Sequence, residues 1–149
     1  MIKNLRAKGK RIVFTNGCFD LLHIGHVRYL EEAKNRGDIL VVGVNSDASV
    51  RKLKGPKRPI LPEEERAEIL SGLGCVDYVT LFQEIDPMKL ITSLQPDILV
   101  KGGDWAKEQI VGGEVVERSG GEVVIIPFVK KASTSNLIQT ILKRYEKNG

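Results

Sequence analysis

Five strand-length apolar runs, each followed by a segment of helical periodicity, limit what this chain can fold into more than any other feature. They occupy residues 11–15 (RIVFT), 38–45 (DILVVGVN), 76–81 (VDYVTL), 97–101 (DILVK) and 122–127 (EVVIIP). The runs are continuous and not alternating, which is the pattern of strands buried on both faces. Helical spacing follows at residues 24–36, 62–73, 87–94, 107–119 and 133–147. Ile24, Val27, Leu30 and Ala33 carry the period in the first of these. Pro62 and three glutamates mark the start of the second. Gln95-Pro96 should end the third, and Gly120-Gly121 the fourth. Strictly alternating strands and helices predict an α/β fold. By the right-handed crossover rule it is a Rossmann-like, doubly wound parallel five-stranded sheet with helices on both faces. Ligands of such sheets bind beyond the carboxyl ends of the strands. No repeat, low-complexity stretch or Pro/Gly linker divides the chain, so one domain over residues 1–149 is expected.

Composition removes several classes of function. Hydrophobic residues make up 42% and charged residues 28%, which excludes a disordered chain. The net charge of +4 suits anionic small molecules. It is too modest, and its bases too dispersed, for a nucleic-acid face, and aromatic residues reach only 5%. Cys18 and Cys75 come without a secretory signal and read as reduced thiols. The first apolar run, residues 12–14, is too short for a signal peptide or a membrane span. A cytoplasmic protein with no membrane partner is expected.

The densest chemistry lies at residues 15–26, TNGCFDLLHIGH, where the first strand hands over to the first helix. Both histidines of the chain, His23 and His26, fall here, three apart on one face of the helix start. A helix N-terminus offers unpaired N–H groups and partial positive charge, which suit phosphate. Imidazoles beside it add donors that can become cationic near an anion. Gly17 permits a tight turn and close backbone approach, and Gly25 leaves room for a bulky group. Zinc held by the histidines with Asp20 and Cys18 is the rival chemistry. Gly25 and the apolar flank offer it no further ligand.

Four other segments belong with this motif. Ser133-Thr134-Ser135, preceded by Lys130 and Lys131, opens the last helix with more hydroxyls than a cap requires. The basic segment 51–58, RKLKGPKR, reads as a mobile loop beyond the second strand, with Gly55, Pro56 and Pro59 supplying its turns. Lys101-Gly102-Gly103-Asp104-Trp105 follows the fourth strand and reads as a ligand wall. Asp20, Asp47 and Asp104 all sit past strand ends. There they would accept from sugar or glycerol hydroxyls, or in part hold a hydrated Mg²⁺. Arg66 is either a site residue or a salt-bridged helix arginine.

The GCFDLLHIGH stretch resembles the signature of the cytidylyltransferase-like nucleotidyltransferases. NSDASVRKLKGPKRPI, PEEERAEIL, PDILVKGGDW and GGEVVIIP look most like the adenylyltransferase domain of the bifunctional ADP-heptose synthases and the standalone heptose-1-phosphate adenylyltransferases. With no sugar-kinase segment ahead of the motif, the standalone form is expected. The resemblance implies His23, His26 and Lys54 as catalytic residues. It implies nucleotide contacts from Gly17, Cys18, Phe19, Gly25, Lys101, Gly102, Lys131, Ser133, Thr134 and Ser135. Asp20, Asp47, Asp104 and Trp105 would bind the second substrate. The implied substrates are ATP, with Mg²⁺ carried on its phosphates, and a sugar phosphate; the implied assembly is a homodimer. A glycerol-3-phosphate cytidylyltransferase shares the histidine motif and the Asp-Trp pair but differs in the lysine segment and final motif. A non-catalytic nucleotide sensor is the remaining alternative.

Overall fold

All five apolar runs become strands: β1 (Ile12–Gly17), β2 (Ile39–Asn45), β3 (Tyr78–Phe82), β4 (Ile98–Gly102) and β5 (Glu122–Ile126). The computed structural model describes residues 1–128 and 132–146. Every pairing is parallel and the order is β3-β2-β1-β4-β5. The chain therefore winds outward in both directions from β1, and the gap between β1 and β4 is the topological switch point. Alternate residues of β1 point to opposite faces. Val13 joins Leu30, Ala33 and Leu70 on one face. Ile12 and Phe14 join Ile91, Leu99 and Val116 on the other. The helices behind these contacts are α2 (Ile24–Lys34) and α4 (Glu63–Ser71) on the first side, α5 (Met88–Leu94) and α6 (Gly113–Arg118) on the second.

Four features depart from the sequence expectation. An additional helix, α1 (Ile2–Ala7), packs Ile2 and Leu5 against the second core. Its Arg6 donates to the carbonyls of Leu94 and Gln95, where α5 ends with unpaired acceptors. Second, the first half of the expected basic loop, residues 51–54, is helical. Asp47–Lys54 forms α3, capped by Ser46 Oγ on the Ser49 N–H at 3.2 Å. Asp47 in its first turn and Arg51, Lys52 and Lys54 in its last complement the helix dipole. Third, the single helix expected at 107–119 is broken into a 3₁₀ turn, Lys107–Gln109, and α6. Gly112 between them has φ 82°, and a Cβ there would lie 2.6 Å from Ile91 Cδ1. Fourth, the last helix, α7 (Thr134–Tyr145), buries none of its residues and exposes Leu137, Ile141, Leu142 and Tyr145. Among the described residues, no helix is long and apolar enough to cross a membrane.

Candidate active site

At the switch point an open cleft of about 820 Å³ lies beyond the carboxyl ends of the strands, between the start of α2 and the start of α7. Tyr29 sets its floor. Its buried hydroxyl lies 2.6 Å from Thr15 Oγ1 on β1 and donates to the Val100 carbonyl on β4 at 3.2 Å. Burial pushes the phenol up to about 12 against the opposing pull of Thr15, so it stays a neutral donor. Gly102 is small for the same reason: a Cβ would come 3.1 Å from the Tyr29 ring and 3.0 Å from Phe128.

The two histidines form one device. His23 is the N-cap of α2, with Nδ1 accepting from the Gly25 N–H at 3.1 Å. His26 Nδ1 accepts from the His23 N–H at 3.3 Å. The rings stack with centroids 3.9 Å apart at 29°, and Phe19 packs 5.5 Å from His26. A neutral imidazole has one donor and one acceptor nitrogen. Because each Nδ1 accepts, each proton sits on Nε2, on rings that line the cleft. Burial, reinforced by His23, lowers the pKa of His26 to about 4. Burial lowers that of His23 as well. The pair is neutral at pH 7 and presents two N–H donors.

Both glycines of the motif line the cleft and also serve the protein's own packing. The left-handed backbone of this turn falls on Phe19 (φ 48°), not on Gly17. Gly17 instead makes room for the Phe19 ring, 3.0 Å from where its Cβ would lie. Gly25 is crowded by the protein itself: a Cβ would meet His23 Nδ1 at 2.9 Å and Ala132 Cβ at 3.0 Å. Its absence lets the His23 ring fold back and the α7 entry approach.

Two cations and one thiol complete the wall. Lys101, half-buried at the end of β4, has a pKa lowered chiefly by burial, with Cys18 opposing and Lys54 adding to the shift. Among the described residues no carboxylate pairs with it. A half-buried ammonium without a counter-ion is a place for a ligand anion. Lys54, the last residue of α3, is exposed on the same cleft. Burial pushes the Cys18 thiol up, outweighing the opposing charges of Lys54, Arg66 and Arg58, so it is no nucleophile at neutral pH.

At the α7 entry, Ser133 Oγ caps the Asn136 N–H at 3.0 Å. Thr134 Oγ1 donates to the Leu21 carbonyl at 3.1 Å, tying α7 to the histidine turn. Ser135 also lines the cleft. Trp105, 47% exposed, does so too, with Nε1 donating to the Gly102 carbonyl at 3.1 Å. Lys130 and Lys131 lie outside the described residues.

Two of the three aspartates, Asp20 and Asp47, pair with the protein's own arginines, and of the three only Asp20 lines the cleft. The Asp20 side chain is fully buried and accepts from Arg58 Nε at 2.6 Å, from the Ile60 N–H at 2.8 Å and from the Leu61 N–H at 2.9 Å. Burial alone would raise its pKa, but these donors outweigh it and hold the carboxyl below its ordinary range. Asp47 accepts from Arg66 Nη2 at 2.8 Å. Neither Asp47 nor Asp104 lines the cleft. With Asp20 committed to Arg58, a zinc site on the histidines loses its carboxylate. No group of three or more potential ligands is placed to hold a metal among the described residues. Arg66 is the salt-bridged helix arginine. Its side chain is fully buried and also donates to the carbonyls of Cys18 (2.6 Å), Asn45 (2.9 Å) and Leu61 (3.0 Å). The sequence singled out neither Tyr29 nor Phe128, and it included Arg58 only within the basic segment 51–58. Only Arg58 had a signal, as a cation four residues past Lys54.

The family model of cytidylyltransferase-like proteins matches residues 14–144. The bifunctional protein HldE of Citrifermentans bemidjiense is 61% identical over 139 residues, 93% of this chain and 28% of that protein. The HldE of Trichlorobacter lovleyi is 59% identical over 140 residues, covering 94% and 28%. A crystal structure of the lipopolysaccharide core biosynthesis protein from Thermoplasma volcanium superposes with a TM-score of 0.66 at 35% identity, covering 83% of this chain and all of that one. The chain belongs to the cytidylyltransferase-like family. It spans under a third of the length of the HldE relatives it matches. Pantothenate synthetase from Thermus thermophilus, at 18% identity and a TM-score of 0.58 over 97% of this chain and 71% of its own, shares the fold.

Proposed function

We propose that the chain is an adenylyltransferase that joins ATP to heptose 1-phosphate, giving ADP-heptose and pyrophosphate for lipopolysaccharide-core synthesis in the cytoplasm. The observation that carries this reading is the stacked imidazole pair, with both Nδ1 atoms accepting from backbone N–H groups, which leaves the protons on Nε2, and both rings lining the cleft. The similarity to HldE proteins and to a lipopolysaccharide core biosynthesis protein supports the sugar.

In this reading a phosphate oxygen of the sugar 1-phosphate attacks the α-phosphorus of ATP. The bond from that phosphorus to the bridging oxygen breaks, and pyrophosphate leaves in line with the electron pair. No bond to the protein forms. The chain supplies alignment and charge. His23 and His26 donate to the β- and γ-phosphates as charge builds on the leaving group. Lys54 and Lys101 neutralise the reacting phosphates, and the N–H groups at the start of α7 take the tail of the triphosphate. Mg²⁺ arrives on those phosphates, which suits a cleft whose buried carboxylates are already paired. Trp105 faces the sugar. The protein acts as a homodimer, for which the exposed apolar residues of α7 offer a face.

Pyrophosphate release with ATP and heptose 1-phosphate tests this, with CTP and glycerol 3-phosphate as the control pair. Turnover should favour the first pair by 10³-fold or more, on the order of the discrimination a hydrogen-bonding site achieves. Light scattering on the same sample should give twice the chain mass. Preference for the CTP pair, or nucleotide binding without turnover, contradicts the reading.

A further inference from the structure

Two ion pairs, each with one fully buried side chain, fasten the same stretch of chain beside the cleft; Asp20 and Arg58 line it, and Arg66 and Asp47 do not. The first is Asp20–Arg58 at 2.6 Å; the second is Arg66–Asp47 at 2.8 Å. They meet at Leu61, whose N–H donates to Asp20 and whose carbonyl accepts from Arg66. Arg66 reaches further, to the carbonyls of Cys18 past β1 and Asn45 at the end of β2. Asp20 sits in the turn that leads to the histidines. The two pairs therefore join the histidine side of the site to the segment that carries Lys54.

The position of Lys54 makes this consequential. It is the last residue of α3, followed by Gly55 at φ 101°. Its ammonium has no hydrogen bond or ion pair with any described residue. Nothing on the side chain itself holds it over the cleft. Its place comes from the backbone, which is fastened on both sides. Before it, the start of α3 is held by Arg66 on Asp47 and by Glu63 Oε2 on the Asp47 N–H at 2.8 Å. After it, Asp20 grips Arg58, Ile60 and Leu61. A lysine stem carries large rotamer freedom, so the anchor of its Cα decides how often the ammonium meets a phosphate.

We propose that Asp20 and Asp47 are positioning residues that act through Lys54, fixing α3 and the 55–61 segment so that the ammonium reaches the reacting phosphate. They serve the reaction without touching substrate. The proposal rests on the reading of Lys54 as a contact to that phosphate.

A double-mutant cycle tests it, with kcat, KM for ATP and a circular-dichroism melt measured on each variant. Asp47 is part-exposed, so Asp47→Ala should fold. It should lower kcat about tenfold, on the order of the coupling between residues in one network, with KM for ATP within about twofold. Asp47→Asn keeps an acceptor for Arg66 and should recover most of that loss. In a Lys54→Ala background, Asp47→Ala should cost no more than about twofold further. Asp20→Asn, which sets an amide donor against three donors, should show the same loss of effect in that background. Multiplying costs, a rise in KM in place of the fall in kcat, or unchanged kcat in Asp47→Ala would each overturn the proposal. Failure of the underlying reading looks different: Lys54→Ala alone would then keep wild-type kcat.

Discussion

His26→Ala lowers kcat by about 10²–10³, the cost of one donor aimed at developing charge. The effect has two sources, and they separate. His26 Nδ1 is the acceptor for the His23 N–H, so alanine also removes the reciprocal half of the capping box that opens α2. Losing a cap costs about 0.5–2 kcal/mol of stability. Glutamine at this position can restore the cap, because a glutamine three residues into a helix reaches back to the N-cap N–H. His26→Gln should therefore melt near wild type and still turn over slowly, since it lacks the stacked ring and its proton on Nε2. Unaltered kcat in both variants would remove His26 from the reaction. Recovery of kcat by glutamine would reduce its role to the cap.

Arg66→Met destabilises the fold by about 3–5 kcal/mol, the usual cost of breaking a buried ion pair from one side. Methionine fills similar space but donates nothing. The carbonyls of Cys18, Asn45 and Leu61 and the Asp47 carboxylate would all lose their partner. Water can reach Asp47, which keeps 27% of its side chain exposed, but the bond to the Asn45 carbonyl is buried. Arg66→Lys should recover only part, because an ammonium has three hydrogens against four acceptors. Urea unfolding at constant slope reads both losses. A loss below about 1 kcal/mol, the range of an exposed pair, would mean that the four bonds are not held in solution.

The sheet was legible because continuous apolar runs such as 38–45 leave a buried parallel strand as the simple reading. The doubly wound parallel class followed from chain alternation and crossover handedness, whereas the strand order, with β1 at its centre, is set by tertiary pairing. The histidine pair was legible for a chemical reason: both histidines of the chain fall three residues apart at a helix start. What stayed hidden was tertiary in origin. Asp20 looked available to sugar hydroxyls because nothing local shows that Arg58 and two N–H groups, about forty residues on, saturate it. The segment 51–58 read as loop because its lysines drew attention away from Ser46, a cap, and Asp47, a first-turn acid. Gly112 interrupts the 107–119 helix with a left-handed backbone, φ 82°, at a place where Ile91 leaves no room for a Cβ, and no spacing in that segment encodes that neighbour. Tyr29 gave no signal, since a tyrosine on an apolar helix face reads as core until Thr15 and Val100 are seen at its hydroxyl.

The account depends on neutral imidazoles that receive a triphosphate, and the protonation of His26 reports on that event. Without nucleotide the ring should titrate near pH 4 by NMR, the value to which burial and His23 lower it. A bound polyanion favours the charged form, so a non-hydrolysable ATP analogue should raise that value, and binding near neutral pH should take up protons. By linkage, affinity for the analogue should then strengthen as pH falls through the bound-state value toward about 4. A titration unmoved by saturating analogue would contradict the account, because the phosphates would then lie away from the rings.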